Sequence, residues 1–137
     1  YMPDFKFWDA EAATKFCNAP DYTESAKAAI KEMHRQVGDL EMDEEGVALR
    51  GLLVRHLVMP DDAARSREVL RFLAEEISPN TYVNVMDQYR PCGKASGDPS
   101  TNRRITPGEF DQAMAWAKKA GLTRLDSRQG ARRIFVR

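Results

Sequence analysis

The sequence predicts an α/β fold: a partial TIM-like barrel, about half of one, in which three to four parallel strands alternate with helices in one domain over residues 1–137. Three observations lead there. Hydrophobic periodicity switches along the chain between the strand period and the helix period, in the order strand, helix, strand, helix, strand, helix, which implies parallel strands with right-handed crossovers. The run at 51–60 is apolar almost without a break, as in a strand of a parallel sheet covered on both faces. The chain has 137 residues, whereas a complete eight-unit barrel takes about 250, or roughly 31 per unit, so about four units fit.

Composition narrows the function classes. The 21 basic and 21 acidic residues cancel, so no long-range field marks nucleic acid or an anionic membrane as the partner. Only Cys17 and Cys92 are cysteines; their separation suits neither a zinc ribbon nor a disulfide scaffold and agrees with a reducing, cytoplasmic setting. No apolar run reaches membrane-spanning length, and no signal peptide is visible.

The chain opens on Tyr1-Met2-Pro3-Asp4-Phe5-Lys6-Phe7-Trp8, mid-pattern and without an initiator Met, and so reads as a fragment whose first strand has Pro3 near an end or an edge. After a turn-rich stretch at 18–22, Ala26, Ala29, Ile30, Met33 and Val37 recur at helical spacing, with Gly38 as the stop. An acidic loop, 39–46, leads into the apolar strand 51–60. Residues 61–77 return to the helical period through Ala64, Val69, Leu70, Leu73 and Ile77. Residues 81–89 read as a strand broken by Arg90-Pro91-Cys92-Gly93. A polar loop, 94–104, precedes Thr106-Pro107-Gly108-Glu109, a capping box with proline at the first helical position, and Phe110, Ala113, Met114 and Ala117 mark the helix before Gly121. A short strand over 122–125 and the apolar triplet 134–136 complete the pattern.

Strand parity selects the candidate site. Side chains alternate across a strand, so Asp4 and Lys6 share a face, Arg55 lies with Leu53, Leu57 and Met59, and His56 points the other way. Tyr82, Asn84, Met86 and Gln88 oppose Val83 and Val85. One face therefore collects Asp4, Lys6, Arg55, Asn84 and Gln88, a donor-rich set suited to a carboxylate, a ribose or a cation and lacking an obvious nucleophile and base. The bland alternative has Asp4 merely neutralising a partly buried Arg55. His34 reads as a solvated helix residue, His56 as a hydrogen-bonded core histidine, and Met33, Met59, Met86 and Met114 as core. Cys92 is either a second redox or ligand cysteine or an ordinary small, semi-buried residue. The basic tail, Arg124, Arg128, Arg132, Arg133 and Arg137, reads as an exposed terminal face.

Pro3-Asp4-Phe5-Lys6, the run from Gly51 to Pro60 and the run from Tyr82 to Pro91 together resemble radical SAM proteins, with the pyruvate formate-lyase activating enzyme-like group the nearest. The resemblance extends over residues 1 to about 95 and more loosely beyond. It implies a partial barrel that holds a 4Fe-4S cluster through a CxxxCxxC loop and binds S-adenosylmethionine, whose reductive cleavage yields a 5'-deoxyadenosyl radical that abstracts hydrogen, in activating enzymes from a glycine of a partner glycyl-radical enzyme. By the same resemblance Asp4 and Lys6 lie near the methionine end of the cofactor, Arg55 meets its carboxylate, and Gln88 and Tyr89 fall near the adenosine, although no histidine stands there. The departure is the missing CxxxCxxC: a cluster needs at least three thiolates, and two cysteines cannot supply them.

The resulting expectation is the C-terminal segment of a radical SAM oxidoreductase that is inactive by itself, binds neither nucleic acid nor membrane and self-associates through its cut edges. A stand-alone α/β module holding an anionic metabolite on Asp4, Lys6 and Arg55 is the alternative. A cysteine enzyme using Cys92 and His56 is disfavoured by strand parity.

Overall fold

The computed structural model describes residues 1–126; Arg128, Arg132, Arg133, Arg137 and the apolar triplet 134–136 lie outside the described residues. Eight elements carry the fold: α1 (Ala10–Cys17), α2 (Tyr22–Val37), β1 (Glu41–Met42), β2 (Ala48–Arg50), β3 (Leu53–Leu57), α3 (Ser66–Phe72), β4 (Tyr82–Met86) and α4 (Pro107–Lys119). The architecture is mixed α/β with β3 and β4 parallel and in register, Arg55 opposite Asn84 and His56 opposite Val85.

Short stretches extend this pair on both sides. Residues 1–5 run parallel to β3: Leu53 and Arg55 donate their N–H groups to the carbonyls of Tyr1 and Pro3, and Phe5 donates to Arg55. Pro3, with no N–H to give, occupies an outer position where only its carbonyl is used. On the far side, Leu125 bridges Val83, with Val83 donating to Arg124 and Asp126 donating back to Val83. The strand expected over 122–125 is thus one bridge long.

The helices cover one face. Phe5, Val54, Val83 and Val85 from the strands meet Ile30 of α2, Val69, Leu70 and Phe72 of α3, and Ala113 and Ala117 of α4 in one core. A second cluster gathers Phe7, Ala12, Ala13, Met59, Ala64 and Tyr89, joining α1 to the segments that follow the strands.

Several expectations need correction. The run 51–60 is not buried on both faces: β3 alternates, with Val54 and His56 buried and Leu53, Arg55 and Leu57 half-buried, because helices cover only one side. Met59 lies past the end of β3 and turns into the second cluster, away from the face that parity assigned to it. The acidic loop 39–46 is part of an antiparallel hairpin, β1 with β2, closed where the Asp43 carboxylate accepts the Glu45 and Val47 N–H groups. Gly51 makes the return from this hairpin possible: at φ 109°, a Cβ there would stand 2.3 Å from the Asp39 carbonyl oxygen, closer than any side chain tolerates.

The helix expected from Asp61 begins instead at Ser66, because Asp61, Asp62 and Arg65 all adopt left-handed backbone, with φ of 53°, 50° and 56°. Its last turn, Leu73–Ile77, widens to π-helix, and Ser78 donates to the Leu73 carbonyl. Helix α1 went unread, although Asp9 caps it by accepting the Ala12 N–H at 2.7 Å; Ala29 on α2 is exposed. In contrast, α4 begins at its capping box as expected, with Thr106 and Glu109 exchanging side-chain to backbone bonds.

Candidate functional site

The site is built where residues 1–6, β3 and β4 present their helix-free face. Arg55 donates from Nε to the Asp4 carboxylate at 2.6 Å, a charge-assisted bond that leaves both Nη groups without a hydrogen bond among the described residues. The backbone between Asp4 and Lys6 is latched from outside by Tyr22 of α2, whose hydroxyl donates to the Asp4 carbonyl at 3.0 Å and accepts the Lys6 N–H at 2.9 Å. Burial raises the Tyr22 pKa above its ordinary value, so the phenol keeps the proton that this two-way role requires. Neither strand parity nor motif reasoning singled out Tyr22. Its aromatic ring beside an N-terminal helix cap gave no cue to a partner 18 residues earlier.

Asp4, Lys6, Arg55 and Gln88 line one cavity of about 340 Å³ together with Met86 and Arg90. Asn84 shares their face through its register with Arg55, but it opens onto a larger cavity of about 980 Å³ between β4 and α4, which adjoins the first at Met86 and Gln88. The structure thus brings four of the five candidate residues into one pocket and Asn84 into the next. Arg90 was not selected from the sequence; its place after a buried Tyr89 was the available signal.

The Tyr89 ring is buried in the second cluster and its hydroxyl donates to the Thr101 carbonyl at 3.0 Å, so its side chain is engaged with the protein. Cys17 and Cys92 are both exposed, which corrects the semi-buried reading of Cys92. No group of three metal-ligating side chains forms among the described residues. His34 is half-buried rather than solvated, with Nε2 at 3.0 Å from the Asp39 carboxylate, which also accepts from the Ser78 hydroxyl.

His56 is fully buried on the helix side. Its Nδ1 stands 2.7 Å from the Phe5 carbonyl and its Nε2 2.9 Å from the Ser66 hydroxyl. A carbonyl only accepts, so Nδ1 carries the proton and Nε2 accepts from Ser66. Burial drives the imidazole pKa down to about 4, opposed by the Phe5 carbonyl. The ring is therefore neutral at pH 7 and ties residues 1–5, β3 and α3 together.

Beside the strand ends, Glu109 receives both terminal nitrogens of Arg103, the Thr106 N–H and hydroxyl, and the Asp61 N–H. Chiefly through Arg103, its carboxyl is held well below the usual carboxylate range. This network fixes the left-handed turn at Asp61 onto the start of α4.

Comparison with known proteins finds a relative of part of the chain's sequence in an archaeal protein. The chain is 32% identical over 123 residues to an uncharacterized protein of Methanocaldococcus jannaschii, covering 89% of this chain and 32% of that protein. It thus spans about a third of the relative's length. No protein-family model matches the chain, and no solved structure does. Among the described residues, no helix is long and apolar enough to cross a membrane.

Proposed function

We propose that this chain is the C-terminal part of a radical SAM barrel similar to pyruvate formate-lyase activating enzyme, whose complete protein performs hydrogen abstraction, with a glycyl-radical enzyme as its partner. One observation carries the reading. Residues 1–5, β3, β4 and Leu125 are neighbours in the order in which they occur in the chain, all parallel, with helices on one side and Asp4, Arg55 and Gln88 on the other. Sequential parallel order is barrel-like, whereas a doubly wound sheet reverses direction at a switch point.

The residues present fit the cofactor's amino-acid end. The unbonded Nη groups of Arg55 would take the carboxylate of S-adenosylmethionine, Asp4 and Lys6 would flank its methionine portion, and Asn84 and Gln88 would face the nucleoside. They do not fit the 4Fe-4S cluster. Two exposed cysteines fall short of the three thiolates that a cluster requires, so its ligands have to come from polypeptide outside these residues. A relative of which the chain spans only 32% is compatible with such a division.

Anaerobic reconstitution of the full-length protein with iron and sulfide tests this directly. Formation of 5'-deoxyadenosine from S-adenosylmethionine by that protein, and none by the 137-residue chain, is expected; no cleavage by the reconstituted full-length protein would overturn the reading. Leu53, Leu57, Tyr82 and Met86 are half-buried on the helix-free face, so the isolated chain is also expected to self-associate. Light scattering over a concentration series checks that, and a strict monomer at high concentration refutes it.

A further inference from the structure

We propose that Arg90 completes, with Lys6 and Arg55, a binding site for a dianionic group, so that the ligand read at this pocket carries two negatively charged oxygens, as a phosphate monoester or a pair of carboxylates does. Three cations face a single carboxylate around a cavity of about 340 Å³. That carboxylate, Asp4, is engaged with Arg55 Nε. Lys6 and Arg90 have no ion pair among the described residues, and residues 127–137 contain no Asp or Glu side chain to supply one. Elsewhere, several cations that reach a neighbouring element are met by acids: Arg103 by Asp61 and Glu109, Lys31 by Glu76, Lys15 by Asp98. A concave surface with an uncompensated positive excess focuses its field on an anion.

The backbone that carries the three cations is held by its neighbours, while the Lys6 and Arg90 side chains are exposed. Lys6 stands between buried Phe5 and Phe7, Arg55 between buried Val54 and His56, and Arg90 between buried Tyr89 and half-buried Pro91, whose ring fixes its own φ. Tyr22 latches the backbone at Lys6, and the bond from Tyr89 to Thr101 anchors the backbone before Arg90. A cation on fixed backbone loses less freedom on binding than one on a mobile loop.

The inference rests on the preceding reading only in taking this pocket as a ligand site. Arg55 has two Nη groups without a hydrogen bond among the described residues, so one can meet the cofactor's carboxylate while the other joins Lys6 and Arg90 on the dianion.

The test uses the 15N-labelled chain, titrated at constant ionic strength with sulfate, malonate and, as the monoanion, acetate. Saturable shifts at the amides of Lys6, Arg55 and Arg90 with sulfate or malonate, and a much weaker response to acetate, are expected. Saturation by sulfate alone identifies a tetrahedral anion, and by malonate alone a dicarboxylate. Arg90→Gln should weaken the dianion by about tenfold or more, the loss of a charge-assisted contact, whereas Arg71→Gln on the exposed side of α3 should leave it unchanged. Equal response to acetate, indifference to Arg90→Gln, or shifts spread over unrelated surface cations would overturn the proposal. Dianion binding without S-adenosylmethionine cleavage by the full-length protein refutes the radical reading alone; cleavage without dianion binding refutes this inference alone.

Discussion

On the helix side of β3 and β4, Val54, His56, Val83 and Val85 are buried, while on the other side Leu53, Arg55, Leu57, Tyr82, Asn84 and Met86 remain half-exposed. The same ten residues thus supply two environments separated by one step of strand parity. The first is closed: even its one polar side chain, His56, spends both nitrogens on protein partners. The second is left with donors unspent at Arg55. Stability and the proposed ligand chemistry are therefore divided between faces, so substitutions on the two sides should differ in kind as well as in size.

The largest effect belongs to the closed face. Phe72 is nearly fully buried and its ring meets Phe5 edge-on at 5.6 Å between centroids. Phe72→Ala should destabilise the chain by about 3 to 5 kcal/mol through lost burial and the cavity left behind. Denaturant unfolding measures it. A loss below about 1 kcal/mol would mean that the closed face is not the seat of stability.

The second effect is a pH dependence with a defined sign. In the folded protein the His56 pKa is near 4, against an ordinary value of 6.5. The unfolded chain therefore binds the proton first as pH falls. Stability is fully present above pH 6.5 and is lost progressively toward pH 4, by about 3 kcal/mol at 1.36 kcal/mol per unit. Unfolding followed from pH 7 to pH 4 should show this loss and His56→Asn should flatten it; an unaltered profile in the variant removes His56 from the account.

Parity made both faces legible in the sequence, because Val83 and Val85 alternate with Tyr82, Asn84 and Met86 and a single charged residue, Arg55, interrupts the apolar run of β3. What parity could not supply was the extent of the strands. Met59 was assigned to the open face because the pattern continued past Leu57, but the backbone leaves the strand there and the left-handed residues Asp61, Asp62 and Arg65 follow. Such conformations are held by distant partners, here Glu109 on the Asp61 N–H, and those partners are invisible to local periodicity. The contribution of Tyr22 was hidden for the same reason, since its latch joins residues that only the fold makes adjacent. The α4 start was readable because every partner of a capping box lies within four residues.

That local readability gives the third effect. Thr106 accepts the Glu109 N–H at 3.2 Å, and the helix it starts contributes buried Ala113 and Ala117 to the closed face. Thr106→Ala should cost about 1 kcal/mol without altering ligand affinity at the open face. Thermal unfolding read alongside the sulfate titration separates the two, and a change in affinity would couple faces that are otherwise independent.

The smallest stability effect should come from Arg55, and it is the sharpest test of the division. Its pair with Asp4 is close, but the two side chains keep 37% and 29% of their exposure, and ion pairs so open to solvent are worth about 0 to 1 kcal/mol. Arg55→Gln should therefore leave unfolding nearly unchanged. On the proposed radical SAM reading it should nevertheless weaken S-adenosylmethionine binding by the full-length protein by about tenfold or more, because a charge-assisted carboxylate contact contributes about 1.5 to 3 kcal/mol. Calorimetric titration beside denaturant unfolding reads both quantities on one preparation. Large destabilisation with intact affinity would return Arg55 and Asp4 to a structural pair and leave the open face without its anchor. Lost affinity at constant stability is what a face built for binding requires, since the strand that carries Arg55 is held by Val54 and His56 on its other side.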